Sequence, residues 1–247
     1  MCLMILSSCF IEETPAPICI LESIEFSPTN RLEFTTINGG QLYQMKQYVF
    51  AEGKDNLVAS YQYQYFQDSI VIRDLRRSSI YLPYMMIKMD GNRPLKVMRY
   101  SFVTGVKVIY DFDYSDKEKI SVQMTRESVE GDRLLFAYGT YTLDLDGNTS
   151  RFQQYFIDTE TLDKFYLVND VFYSYDDFTN PTEGLFVPHF TANRLPDPIF
   201  FNSNNQITMM ESSAISNFSY TYGDGDHTKT QTFPGGGEVI FNYLNCK

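Results

Sequence analysis

Few residues of this chain belong to the types that usually perform catalysis or bind metal ions. The 247 residues include two histidines, His189 and His227, and four cysteines, none of which form the C-x-x-C pair typical of zinc and redox sites. The sequence contains no G-x-S-x-G, H-E-x-x-H or P-loop motif. It therefore predicts no catalytic residue, no metal site and no cofactor.

Carboxylates are abundant and leave one enzymatic alternative open. Glycoside hydrolysis needs two carboxyl groups at a defined separation in space, and the chain has 31 Asp and Glu residues. Asp111 and Asp113 share the polar face of one predicted strand, where carboxylates are usually only solvated. The Asp- and Gly-rich stretches 144–148 and 224–226 lack the full ligand set of an EF-hand, and we interpret them as turns.

The first nine residues end in a cysteine with the context of a lipidation signal. The tetrad Leu6-Ser7-Ser8-Cys9 resembles a bacterial lipobox, in which a branched apolar residue and two small residues precede the acylated cysteine. The preceding residues contain no Lys or Arg, whereas a complete signal peptide has a basic start and ~7–15 apolar residues. We expect lipidation at Cys9 and a true start of translation upstream of Met1.

Lipidation at this position divides the chain into three parts. Residues 1–8 are a remnant of the signal, residues 9–19 are a lipid-anchored tether, and residues 20–247 are one domain. The tether is short and acidic and contains two prolines, a composition typical of a linker. The expected location is the bacterial cell envelope, as an outer-membrane lipoprotein facing the periplasm or the cell surface.

Two further cysteines lie at the two ends of the expected domain. Because the envelope is oxidising, Cys19 and Cys246 are candidates for a disulfide. The alternative is a pair of unrelated thiols, since spacing alone does not bring the termini together.

The charge of the chain excludes two classes of partner. Lys and Arg total 20 against 31 Asp and Glu, so the net charge is −11. Nucleic acids and anionic membrane surfaces both require a basic patch. We expect no nucleic-acid binding, and contact with a membrane only through the lipid anchor.

Alternating polarity dominates the chain and predicts an all-β domain. Val108, Tyr110 and Phe112 alternate with polar residues, a pattern typical of antiparallel strands with one buried face. Turn residues such as Asn38-Gly39-Gly40 favour hairpins, whereas Asn180–Pro198 contains four prolines and predicts a loop with at most a short helical turn. We predict a long antiparallel meander of hairpins in one twisted or rolled sheet, with a barrel or half-barrel as the alternative.

Aromatic-x-Tyr pairs, which we call the tyrosine pairs, recur along the predicted strands. The pairs are Tyr63–Tyr65, Phe112–Tyr114, Tyr173–Tyr175 and Tyr220–Tyr222, and they represent either a degenerate repeat or the preference of half-buried strands for Tyr. Residues 173–185 are similar to the Tyr-x-Tyr-Asp-Asp-x-x-Asn-Pro segment of uncharacterised Bacteroidetes lipoproteins, which are built from hairpins in the style of YD (Rhs-type) repeats. The resemblance implies an all-β meander behind a lipid anchor and implies no catalytic residues.

Three functions stay open at this point. The first is a non-enzymatic envelope lipoprotein that binds or scaffolds a glycan or protein ligand. The second is an envelope carbohydrate hydrolase that uses paired carboxylates, and the third is a shell or spacer derived from YD-repeat proteins. Exposed tyrosines would suit glycan binding, but the chain has no Trp and we expect Tyr mainly to pack the core.

The lipidation of Cys9 can be tested in the native host. The gene is expressed together with the sequence upstream of Met1, and the intact mass and the membrane fraction of the mature protein are measured. We expect a membrane-associated chain that begins at an acylated Cys9. An unmodified soluble protein that retains Met1 and Cys2 would contradict the lipoprotein interpretation.

Overall fold

A computed structural model describes residues 19–37, 41–76, 83–101, 104–158, 161, 164–183, 185–190, 195–223 and 225–244. These residues form seventeen β-strands and two four-residue helical turns. None of the helices in the described part of the chain is long and apolar enough to cross a membrane. The elements are β1 (Ile20–Ser27), β2 (Asn30–Ile37), β3 (Gln41–Ala51), β4 (Lys54–Tyr65), β5 (Ser69–Asp74), β6 (Met85–Asp90), β7 (Arg93–Tyr100), β8 (Lys107–Asp113), β9 (Lys119–Glu127), β10 (Arg133–Leu143), β11 (Thr149–Ile157), β12 (Phe165–Thr179), α1 (Phe186–His189), a 3-10 helix (Pro198–Phe201), β13 (Asn204–Glu211), β14 (Ala214–Asn217), β15 (Ser219–Tyr222), β16 (Thr228–Thr232) and β17 (Glu238–Leu244).

All strands belong to one antiparallel sheet in which neighbours along the chain are also neighbours in space. The first strand pairs on both sides, because Ile24 lies opposite Leu32 of β2 and opposite Phe241 of β17. The last strand therefore returns to the first, and the sheet rolls into a nearly closed barrel. The predicted meander is confirmed, and the barrel is the form that it takes.

Two of the short segments act as one strand. Only Phe218 separates β14 from β15, and its amide donates a hydrogen bond to the carbonyl of Ile207 in β13. The first half of this strand pairs with β13 and the second half pairs with β16. The seventeen segments therefore occupy sixteen strand positions around the barrel.

Side chains alternate between the inside and the outside of the barrel, as the period-two pattern predicts. On β8, Val108, Tyr110 and Phe112 are buried inside. On its outer face, Asp111 forms an ion pair with Lys96 of β7 at 2.9 Å. Because burial of each large apolar side chain is worth about 1.5–3 kcal/mol, the apolar interior supplies much of the driving force for closure.

The interior is filled in part by the described residues of the chain that connects β12 to β13, namely 180–183, 185–190 and 195–203, which we call the inner segment. It carries α1 and the 3-10 helix. Phe190 and Leu195 are 1% and 2% exposed, respectively, and belong to the same apolar core as the strands. The predicted loop with a short helical turn is confirmed, and its place is inside the barrel.

Aromatic contacts fix the inner segment against several strands. The ring of Phe190 lies edge-on to Tyr110 with 5.2 Å between centroids, and the ring of Phe201 lies 4.7 Å from Tyr141. The hydroxyl of Tyr141 donates a hydrogen bond of 2.9 Å to the carbonyl of Pro196. Such ring pairs are worth about 0.5–1.5 kcal/mol beyond their burial, so the segment is packed as part of the core.

The substitution Gly139→Ala tests how tightly the inner segment packs on β10. An added Cβ would lie 3.2 Å from both the Gln153 carbonyl oxygen and Cε2 of Phe152, and it would collide with Cδ1 of Leu195. We expect the free energy of unfolding, measured by urea denaturation, to fall by about 1–3 kcal/mol, as in other overpacked cores.

Gly237→Ala is the matched control for this substitution. The nearest atom to a Cβ at Gly237 is Cβ of Phe233 at 4.0 Å, an ordinary contact. An equal loss of stability in the two variants would contradict the packing of Leu195 against Gly139.

Candidate functional site

A cavity of about 500 Å³ lies inside the barrel beside the inner segment. Its walls come from β1, β2, β11, β12, β13 and β16, and its floor comes from Leu185 and residues 195–198 of the inner segment. Exposure rises from Leu195 of the floor, which is buried, to Phe26 and Phe233, which are 42% and 39% exposed. The cavity therefore opens toward the end of the barrel where β1 joins β2 and β16 joins β17, which we call the mouth end.

The lining of the cavity is mainly apolar. Inward-facing strand residues and the inner segment supply aliphatic and aromatic surfaces that water solvates poorly. The volume lies within the range of about 300–1,000 Å³ that is usual for small-molecule sites. The apolar lining residues are Ile24, Phe26, Leu32, Phe152, Val171, Leu185, Leu195, Pro196, Pro198, Met209, Phe218 and Phe233.

One buried amide points to a ligand. Gln154 of β11 is 3% exposed and lines the cavity. Its Oε1 accepts a hydrogen bond of 3.0 Å from Nδ2 of Asn169, whereas its Nε2 has no partner among the described residues. Because an unsatisfied buried donor costs about 1–3 kcal/mol, this Nε2 is the polar group of the cavity with most to gain from a bound acceptor.

Two carboxylates give the cavity a negative character. Asp197 of the inner segment and Glu211 of β13 both line it, and no Lys, Arg or His is present among its described lining residues. Burial raises the pKa of the Tyr173 hydroxyl, and the nearby carboxylates of Asp197 and Glu211 raise that pKa further. Tyr173 is therefore a neutral hydrogen-bonding group in the wall.

Exposed apolar side chains surround the mouth end. They lie beside the connections between β1 and β2, β3 and β4, β11 and β12, β13 and β14, and β16 and β17. These residues are Phe26, Phe50, Phe165, Tyr166, Met210, Ile215 and Phe233.

Four buried asparagines cluster at the opposite end of the barrel: Asn148, Asn180, Asn202 and Asn205, which we call the asparagine cluster. Each of them is at most 3% exposed. Asn180 ties the two ends of the inner segment together, since its Nδ2 donates to the carbonyl of Asn202 at 2.9 Å. Irregular backbone inside a barrel needs such partners, because its polar groups are shielded from water.

Asn202 joins the inner segment to the barrel wall. Its Oδ1 accepts a hydrogen bond of 2.7 Å from the amide of Thr149, and its Nδ2 donates to the hydroxyl of Tyr175 at 2.8 Å. That hydroxyl in turn donates to the Thr149 carbonyl at 2.7 Å. The three residues form a closed ring of hydrogen bonds between the inner segment, β11 and β12.

A carboxylate extends this hydrogen-bond network to the neighbouring strands. Asp176 accepts a hydrogen bond of 3.2 Å from the amide of Asn205 and another from the hydroxyl of Tyr222. Nδ2 of Asn205 donates to Oγ1 of Thr228 at 2.9 Å. Tyr175, Asp176 and Asn180 all belong to the segment 173–185, so this segment serves largely to anchor the floor of the cavity.

The two cysteine predictions involve residues outside the described part of the chain. Cys9 and Cys246 both lie there, so lipidation and the Cys19–Cys246 disulfide stay predictions. Cys19 itself is disulfide-bonded, and its Sγ lies 3.8 Å from Nδ1 of His227. The pairing of β1 with β17 places Ile20 opposite Leu244, so the two ends of the domain are adjacent.

The other residues that could take part in catalysis or metal binding do not meet in one site. His227 packs edge-on against Tyr243, and His189 ends α1, where its side chain lies outside the described atoms. Oδ1 of Asp113 accepts a hydrogen bond from the amide of Ser115 on the outer surface. Asp144 Oδ1 accepts hydrogen bonds from the amides of residues 146 and 148, as expected of a turn. The described residues contain no group of three or more potential metal ligands.

The residues that form the cavity were not identified from the sequence. Gln154 could have been identified, because it is a polar residue at an inward position, two residues after the apolar Phe152 in an alternating strand. No local pattern identifies Met209 and Phe218, because their partners across the cavity are distant in the chain. Among the tyrosine pairs, Tyr63, Phe112, Tyr114 and Tyr173 belong to the core or pack against it, in agreement with the expectation that Tyr packs the core, whereas Tyr65 is exposed.

Comparison with known proteins shows the fold and leaves the family open. No family model and no curated protein matches the chain. A porin-like protein from Bacteroides uniformis ATCC 8492 is similar in structure, with 12% identity, coverage of 91% of this chain and 98% of that chain, and a TM-score of 0.54. A protein of unknown function from Bacteroides fragilis NCTC 9343 has 16% identity, coverage of 57% and 91%, and a TM-score of 0.29.

The substitution Asn202→Ala tests how the asparagine cluster anchors the inner segment to the barrel wall. It leaves the buried amide of Thr149 without its acceptor and removes one partner from Tyr175. We expect a loss of about 2–3 kcal/mol in the free energy of unfolding in urea, since each unsatisfied buried group costs about 1–3 kcal/mol. Asn217→Ala, at an exposed position of β14, is the control and should have little effect. Equal effects at both positions would contradict the anchoring role.

Proposed function

We propose that the protein is a non-enzymatic binding module that holds a small, mainly apolar ligand inside its barrel. The observation that carries the proposal is the 500 Å³ cavity with an apolar lining and an unpartnered amide, Nε2 of Gln154. Pockets of this kind, apolar with a few placed polar groups, are typical of ligand sites. The lining favours an apolar ligand over the glycan or protein ligand expected from the sequence.

The composition of the interior supports binding in preference to conduction. Water-filled channels have polar linings, whereas the buried interior here is largely apolar, with Ile72, Met85 and Val97 fully buried. The inner segment also occupies part of the barrel. The likeness to a porin-like protein therefore supports a shared fold, and we do not carry a transport function over from it.

We also propose an envelope location and a lipid anchor at Cys9. The lipobox-like tetrad supports the anchor, and the Bacteroides origin and porin-like description of the first neighbour support the envelope. Descent from YD-repeat lipoproteins, with a shell or spacer role, is a less favoured proposal. It rests on residues 173–185 and on the tyrosine pairs, whose spacing is irregular.

A carbohydrate hydrolase is the second candidate, because Asp197 and Glu211 both line the cavity. Burial raises the pKa of Glu183, as a general acid requires, but Glu183 does not line the cavity. Hydrolysis of aryl glycosides by the wild type and its loss in Asp197→Asn would establish this activity.

Two adjacent substitutions test the binding function. Met209 lines the cavity, whereas Met210 is 39% exposed and faces outward from the same strand. Met209→Trp places a large ring in the cavity, so we expect it to reduce the binding of the neutral apolar dye Nile red at least about tenfold, as loss of 1.4 kcal/mol would. Binding is measured by fluorescence titration.

Met210→Trp is the matched control, and it should bind Nile red as the wild type does. The natural chain contains no Trp, so the fluorescence of the single introduced Trp also reports whether each variant is folded. Failure of the wild type to bind the dye, or equal binding by both variants, would contradict a ligand site inside the barrel.

A further inference from the structure

On the premise that the cavity binds a ligand as proposed above, we infer the chemical class of that ligand. The structure assigns to it an amphiphile with an apolar body and an uncharged, hydrogen-bond-accepting head such as a hydroxyl, ether or carbonyl group. Amphiphiles with a carboxylate head, such as fatty acids, are excluded by the same residues.

The need for an acceptor follows from Gln154. Gln154 lines the cavity, and its Nε2 is buried and has no partner among the described residues, although its Oε1 accepts a hydrogen bond from Asn169. An amide N–H donates and does not accept, so only an acceptor atom of a ligand or of water satisfies it. The head group of the ligand therefore lies beside β11 and below the mouth.

The exclusion of anionic heads follows from the charges around the cavity. A carboxylate moved out of water needs a cation or several donors to offset its desolvation. The described lining residues include no Lys, Arg or His, and two carboxylates, Asp197 in the floor and the exposed Glu211 where the wall reaches the mouth end, repel an anion. A hydroxyl head meets neither penalty, and it still accepts the hydrogen bond from Gln154.

The apolar body fits the remaining surface. Phe26, Phe218 and Phe233 lie around the upper part of the cavity, and Phe218 packs edge-on against Phe233 with 5.6 Å between centroids. Two of them, Phe26 and Phe233, are partly exposed without a ligand. An alkyl or aryl chain extending from the head toward the mouth covers these rings and gains from their burial.

Displacement of Nile red by two ligands with equal chains and different heads tests the inference. The probes are decan-1-ol and decanoate, used below the concentrations at which they aggregate and at about pH 8, where a fatty acid is ionised. We expect decan-1-ol to displace the dye at a concentration at least about tenfold lower than decanoate.

Two variants separate the contributions of charge and hydrogen bonding. Glu211→Gln removes one repelling charge. It should narrow several-fold the difference between the concentrations at which the two ligands displace the dye. The control Glu22→Gln removes the same charge from a position on β1 that does not line the cavity, and it should leave the difference unchanged. Gln154→Leu should weaken the binding of decan-1-ol and leave the binding of Nile red largely intact.

The outcomes distinguish this inference from the proposed function. If the wild type does not bind Nile red, or if Met209→Trp binds it normally, the ligand site itself is wrong. If Nile red binds in the cavity but decanoate displaces it as well as decan-1-ol does, the binding function stands and the assigned head group is overturned. Failure of both ligands to displace bound dye overturns the assignment as well.

Discussion

Hydrogen bonding between β1 and β17 is the constraint on which the rest of the structure depends. It joins the two ends of the meander and holds the sheet at sixteen strand positions. Barrel diameter grows with strand number, and barrels of about this size are too wide for their own side chains to fill. The inner segment occupies part of the space, and the cavity is what remains between that segment and the strands from β11 around to β2.

The asparagine cluster makes this arrangement stable. A segment with little regular structure brings backbone amides and carbonyls into an apolar interior, where each unpaired group is costly. The asparagine cluster meets this need, because each side chain amide carries both donors and an acceptor. Asn148 illustrates this: its Oδ1 accepts from the amides of Ser203 and Asn204, while its Nδ2 donates to Asn204 Oδ1 at 2.9 Å. The polar groups are thereby concentrated at one end, and the mouth end is left for a ligand.

Local patterns predicted the strands, whereas contacts between distant residues had to come from the structure. Alternation around Tyr110 and turn residues between strands identified an antiparallel meander, because both signals act over a few residues. Closure depends on Ile24 meeting Phe241, a pairing that no local pattern specifies. The segment 173–185 was recognised as distinctive, and its role in anchoring the floor became evident only when Asn202 and Asn205 were placed beside it. The prolines of the inner segment predicted a loop correctly but not its place inside the barrel.

We propose that this barrel holds an amphiphile above the inner segment. The most direct test is a crystal structure with 10-bromodecan-1-ol, in which the anomalous signal of bromine locates the end of the chain and electron density locates the head. We expect the hydroxyl within hydrogen-bonding distance of Nε2 of Gln154 and the bromine near Phe26 and Phe233 at the mouth. Bromine found only on the outer surface, or an empty cavity at saturating ligand, would contradict it.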